Sequence, residues 1–177
     1  MVGHPFASSR CARYAVVVLA ILAAGPVAAV VPPGKGVAVD LAFVRVYQVP
    51  GLEEPLVANG STTPAEDQAL RELITAYRAL ATGGGDAHRT LLEGFLAAHP
   101  DSVWRTAILT NLGLSDYREG YFSRAIAAWT EAWAAGREAS EPRARAVADR
   151  ALGELLRMHA RLGHADRLEE LLDDLGD

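Results

Sequence analysis

From Thr63 onward, apolar residues fall at helical spacing in six runs, separated by glycine, proline and short polar stretches. Leu70, Leu73, Ile74, Tyr77 and Leu80 make the first run, and Gly83-Gly84-Gly85 ends it. Leu91, Leu92, Phe95 and Leu96 make the second, stopped by Pro100. Trp104, Ile108, Leu112 and Tyr117 make the third, with Asp101 or Ser102 as its cap. Phe122, Ala125, Ile126, Trp129, Ala132 and Trp133 define one face of the fourth, and Gly120 breaks the chain just before it. Ser140-Glu141-Pro142 opens a long fifth run through Val147, Leu152, Leu155, Leu156 and Met158, with Gly163 as its left-handed end. Leu168, Leu171, Leu172 and Leu175 make the sixth. The pattern predicts an all-α domain over residues 63–177, six helices in three antiparallel pairs. Its start is marked by Thr63-Pro64-Ala65-Glu66, where a threonine hydroxyl and a glutamate carboxylate can each satisfy a free N–H of the first turn.

The first 62 residues read differently. Arg10 and Arg13 precede an apolar run from Tyr14 to Val31, Gly25-Pro26 breaks it, and Val27-Ala28-Ala29 supplies small residues. These are the parts of a secretory signal peptide over residues 1–29, cleaved near Ala29. An uncleaved membrane anchor is the competing reading, since about 18 apolar residues lie at the lower edge of a bilayer span. The expected address is the periplasm or the exterior, with contact to a membrane only through this segment. Residues 30–62 read as an extended linker, punctuated by Pro32, Pro33, Gly34, Gly36 and Pro50-Gly51. Alternation from Val37 to Phe43 suggests one short strand within it. Asn59-Gly60-Ser61 matches a glycosylation acceptor, a short pattern common by chance.

Charge and chemistry narrow the function classes. The net charge is -5, and losing residues 1–29 removes two arginines and no acid. An acidic chain of this kind is a poor general binder of nucleic acid or anionic lipid. The single cysteine, Cys11, lies ahead of the apolar run, so a cleaved chain has no thiol for a disulfide, a metal or a nucleophile. His159 and His164 lack the spacing of a helical zinc site, and Gly83-Gly84-Gly85 lacks the Lys-Ser or Lys-Thr of a phosphate loop. No cofactor, metal or catalytic set is expected; the reading is a binding protein, not an enzyme.

The residues around Gly120 carry a family resemblance. Leu112-Gly113, the turn glycine Gly120, the small Ala125, the bulky Trp129 and the second small Ala132 resemble a tetratricopeptide repeat over residues 106–138. Such a repeat is a helix-turn-helix of about 34 residues. The flanking pairs match more loosely: Pro100 takes the terminal proline position, Leu168 replaces a small alanine, and Gly120 and Gly163 lie further apart than one period. The resemblance implies helix pairs stacked as a short right-handed superhelix with a concave groove, used to bind a protein or peptide. It places Thr110, Leu114 and Tyr117 on the groove from the second repeat, beside Asn111, and Arg150, Arg157 and Ala160 from the third. Arg143, Arg150 and Arg157 are seven apart and share one helical face, a row suited to a carboxylate or an extended peptide. Glu154 departs from a full carboxylate clamp by standing where a basic side chain is wanted. Two functions follow as expectations. One is an exported, non-catalytic scaffold binding a partner through Asn111, Thr110, Leu114, Tyr117, Arg150 and Arg157. The other is a self-associating accessory domain, joined through the leucines of the C-terminal helix, at the front of a larger secreted protein.

Overall fold

Thr63 opens the first helix with the predicted reciprocal cap. Its hydroxyl accepts from the Glu66 N–H at 3.2 Å, and the Glu66 carboxylate accepts from the Thr63 N–H at 2.9 Å. The Thr63 N–H and the Thr63 hydroxyl, both donating to the Glu66 carboxylate, hold that carboxyl below its usual range. The computed structural model describes residues 46–80 and 85–176. They form two short strands, β1 (Val46–Tyr47) and β2 (Leu56–Val57), then six helices: α1 (Pro64–Ala79), α2 (Gly85–Ala98), α3 (Arg105–Arg118), α4 (Phe122–Gly136), α5 (Pro142–Leu162) and α6 (Ala165–Gly176). The described chain is mostly helical, as the sixfold pattern predicts. The proposed signal peptide, the Val37–Phe43 strand and Gly83-Gly84 lie outside the described residues.

Two helix boundaries follow from glycine. Gly163 ends α5 at φ 70°, and Gly120 turns α3 into α4 at φ 84°. Both values favour a residue without a Cβ. At the start of α3, Ser102 contributes by accepting from the Trp104 N–H at 3.2 Å, one residue before the helix proper.

α3 is the centre of the packing. Every residue from Thr106 to Leu114 is buried, so the helix has no solvent face over that stretch. It packs on α2, α4, α5 and β2. Its polar side chains stay satisfied by turning onto main chain: Thr110 Oγ1 donates to the Thr106 carbonyl at 2.8 Å, and Asn111 Nδ2 donates to the Ala107 carbonyl at 2.9 Å. Two glycines allow the close approach. A Cβ on Gly113 would lie 2.3 Å from the Trp129 ring nitrogen, and one on Gly136 would lie 2.6 Å from Thr106 and 2.7 Å from Ala148. Ala125, Trp129 and Ala132 are wholly buried along the same seam.

The stretch read as an extended linker is, from Val46 on, part of this body. β1 and β2 pair antiparallel, Val46 opposite Val57 and Tyr47 opposite Leu56. β2 lies against α3 and α5. Leu56, Val57 and Ala58 are as deeply buried as any helix residue, and Tyr47 stands edge-on to Trp104 with ring centres 5.6 Å apart. At the other end α6 has no fully buried residue. It holds to the body through half-buried Leu168 and Leu171 and an Arg137–Asp174 ion pair at 3.3 Å.

Two glycine substitutions should separate close packing from helix propensity. Gly113→Ala should destabilise the fold by about 1–3 kcal/mol, because a methyl there meets the rigid Trp129 ring. Gly153→Ala meets nothing within 4 Å on exposed α5, and should stabilise by about 0.5–1 kcal/mol. Urea unfolding midpoints of the two variants would move in opposite directions.

Candidate functional site

The face of α3 and α5 that the arginine row marks is already holding a peptide, and the peptide is the chain's own residues 46–59. Asn111 is the fastener. Its Oδ1 accepts from the Glu53 and Glu54 N–H groups, both at 3.0 Å. Its Nδ2 donates to the Glu54 carbonyl at 3.0 Å as well as to Ala107. Both hydrogens of the amide and both lone pairs of its oxygen are therefore used. The flanking charges repeat the theme. Arg118 pairs with Glu53 at 3.0 Å, Arg150 pairs with Glu54 at 3.2 Å, and Arg78 donates to the Gln48 carbonyl at 3.3 Å. Asn59 closes the segment: its N–H donates to the Val103 carbonyl at 2.7 Å and its Nδ2 to the Ala135 carbonyl at 2.9 Å. The glycosylation-like asparagine is thus engaged in holding the segment down.

This geometry corrects the expected groove. Thr110, Asn111 and Leu114 are 0, 3 and 4% exposed, so none of them is presented to an outside partner. Thr110 is enclosed where α3 meets α5, and Asn111 is covered by the Glu53-Glu54 turn. Tyr117, Arg150 and Arg157 do reach the surface, each in part and Arg157 the most. Glu154, which the sequence suggested would spoil a basic site, is 2% exposed and sits between two arginines. Arg150 reaches it at 2.8 Å, and Arg157 makes a close ion pair with its other oxygen. It is the internal counter-ion that spaces the row. Arg161, one turn beyond Arg157, hydrogen-bonds to the Tyr117 hydroxyl. Tyr117 in turn packs between Phe122 and Trp129, with ring centres 5.5 and 5.9 Å away. Phe122 is 48% exposed. Arg161 is the residue of this edge that sequence reasoning missed; it stands four residues after Arg157 and so on the same helix face, which was the available signal.

Two other places bring ionisable groups together. Asp116, 2% exposed, binds Arg89 closely and lies 3.7 Å from Arg124, on a cleft of about 370 Å³ between α2, α3 and α4. Burial disfavours the Arg89 charge, but the hydrogen bonds and charges of Asp116 and then Glu93 outweigh it and leave its pKa raised. That cleft is ringed by matched pairs such as Arg105–Glu131 at 2.5 Å, so it offers little net charge. The structure also joins two histidines that the sequence left apart: His159 Nδ1 and His164 Nδ1 are 3.2 Å from each other. Among the described residues no three His, Cys, Asp or Glu converge on a metal position, and no helix is long and apolar enough to cross a membrane.

His159 gives a pH signature. Burial first, then the charges of His164 and Arg167, lower its pKa below the ordinary 6.5. As pH falls below about 6.5 the unfolded chain takes up this proton while the folded chain resists it, so stability falls with pH across that window and levels off below the folded value. His159→Gln should flatten the stability profile between about pH 7 and pH 5.5, read from melting temperatures across that range. Asn111→Ala should cost about 1–3 kcal/mol by leaving the Glu53-Glu54 main chain unpaired, and limited proteolysis should then cut between residues 46 and 59 before any helix. Scans of the chain against protein-family models, curated proteins and solved structures return no match.

Proposed function

We propose that this chain is an exported, non-catalytic interaction module of the tetratricopeptide kind, whose arginine-lined inner face takes an extended acidic segment of a partner protein. The observation that carries the reading is the chain's own residues 46–59. They lie on that face as a hairpin, its Glu53-Glu54 bend held by an amide that reads main chain and by arginines that read two consecutive glutamates. This is the chemistry by which repeat grooves hold peptides, here applied in cis. The repeat reading is supported by Gly113, Ala125 and Ala132 standing where the helices touch.

The partner's place is the continuation of the same face beyond the hairpin. Leu56, Val57 and Ala58 are too deeply buried to be lifted off cheaply, so the occupied part is permanent. Tyr117, Arg157, Arg161 and the exposed ring of Phe122 form the open part. Arg157 shares one carboxylate with Arg150, and among the described residues Arg161 is bonded to a neutral hydroxyl and to no carboxylate. Each guanidinium carries five N–H donors, so both can accept a further carboxylate. Export rests on the signal-like first 29 residues.

Selection from a random peptide display library against the full-length chain should enrich sequences with paired acids next to an apolar residue. The Arg161→Glu variant, at an exposed position whose partner is the neutral Tyr117 hydroxyl, should lose that enrichment while melting within a few degrees of the parent. Enrichment of basic peptides, or the same peptides on both proteins, would overturn the assignment.

A further inference from the structure

A second surface lies at the far end of the helical stack, independent of the arginine face. α6 carries leucines at 168, 171, 172 and 175, a single stripe at helical spacing. At 100° per residue the stripe has two edges. Leu171 lies on the edge shared with Arg167 and Glu170, and that edge faces the body: these residues, with Ile126, Leu155 and His159, line a cavity of about 280 Å³ between α4, α5 and α6. Leu172 lies on the other edge and is 55% exposed, with Leu175 at 46% between the two. Leu162, at the end of α5 just before the turn into α6, is 48% exposed. Three of the five large apolar side chains left in solvent among the described residues therefore belong to this end.

The charges divide the same way. On the body-facing edge acids and bases are matched, Asp174 with Arg137 and Glu170 with Arg167 at 2.5 Å. On the Leu172 edge the flanking residues are Glu169 and Asp173, both exposed, with no base within 4 Å among the described residues. The open edge is thus apolar with a one-sided acidic border. A second copy laid against it in twofold fashion would bring Glu169 and Asp173 toward their own duplicates, which like charges oppose. An apolar helix bordered by lysine or arginine satisfies both the leucines and the acids.

We propose that the Leu172–Leu175 edge of α6 is a docking site for a basic amphipathic helix of another protein. The recognition is a helix laid along a helix, with apolar anchors at i, i+3, i+4 and i+7 and flanking cations opposite Glu169 and Asp173. The interaction is separable from peptide capture at Tyr117, Arg157 and Arg161, because it uses none of those residues.

The test uses the full-length chain and two synthetic helical peptides with the same leucine stripe, one flanked by lysines and one by glutamates, followed by fluorescence anisotropy at low and high salt. The lysine peptide should bind at least tenfold more tightly than the glutamate peptide, and the difference should shrink at high salt. Leu172→Ser/Leu175→Ser should weaken it tenfold or more, and Glu169→Lys/Asp173→Lys should reverse the preference between peptides. All four positions are exposed, and unchanged circular dichroism melts would show that the variants fold. Equal binding of both peptides, binding that survives the leucine substitutions, or a concentration-dependent dimer abolished by them would each overturn the proposal, the last in favour of a second copy as occupant.

Discussion

The absence of a side chain at Gly113 is what the middle of this protein rests on. Trp129 is wholly buried against that gap, with its ring nitrogen 2.3 Å from where a Cβ would stand. Without the gap α4 would have to move off α3, and α4 is also a wall against which α5 packs. Gly136 repeats the device one helix over, letting Thr106 and Ala148 close on the end of α4. Three helices thus meet closely, and α3, enclosed from Thr106 to Leu114, turns its polar Thr110 and Asn111 there onto main chain. Close packing of this kind leaves few alternative arrangements, so surface chemistry can be placed on it with little play.

The burial of α3 explains why Asn111 serves the fold and not an outside ligand. A side-chain amide in the middle of a buried helix needs four hydrogen-bonding groups around it. Helix backbone supplies one, the Ala107 carbonyl, and the rest come from another segment at a bend, where successive N–H groups can converge on one oxygen. Residues 53 and 54 meet that need. The same demand runs through Glu154: a buried carboxylate between helices requires bases, and Arg150 and Arg157 stand on either side of it. The positive edge and the docked hairpin are two answers to one requirement, that polar groups taken out of water be matched.

Much of the helical plan was legible in the sequence because its signals are local. A capping box, a proline at the first turn, and glycines at φ 84° and 70° fix boundaries within a few residues of themselves. The hairpin was not legible, because each strand is two residues long and its hold comes from residues 30 or more positions away. For the same reason Asn111 read as a groove residue: its type and spacing suit peptide binding, and only the fold shows whose peptide it binds. Glu154 read as a flaw in a basic row when it is the counter-ion that organises the row. His159 and His164 are brought together by the turn at Gly163, a pairing that their spacing alone does not announce.

The docked hairpin also bears on the order in which the molecule can assemble. Its contacts join Asn59 to Ala135 and Glu54 to Arg150, so they span most of the described chain, whereas the helix pairs close over short loops. A chain made from its amino end presents residues 46–59 long before the surface that receives them exists. Loop-closure entropy over such separations favours late formation. Leu56 and Val57, even when paired with β1, must then remain uncovered until α3 and α5 have come together, an exposed apolar stretch that a holding chaperone would be suited to shield.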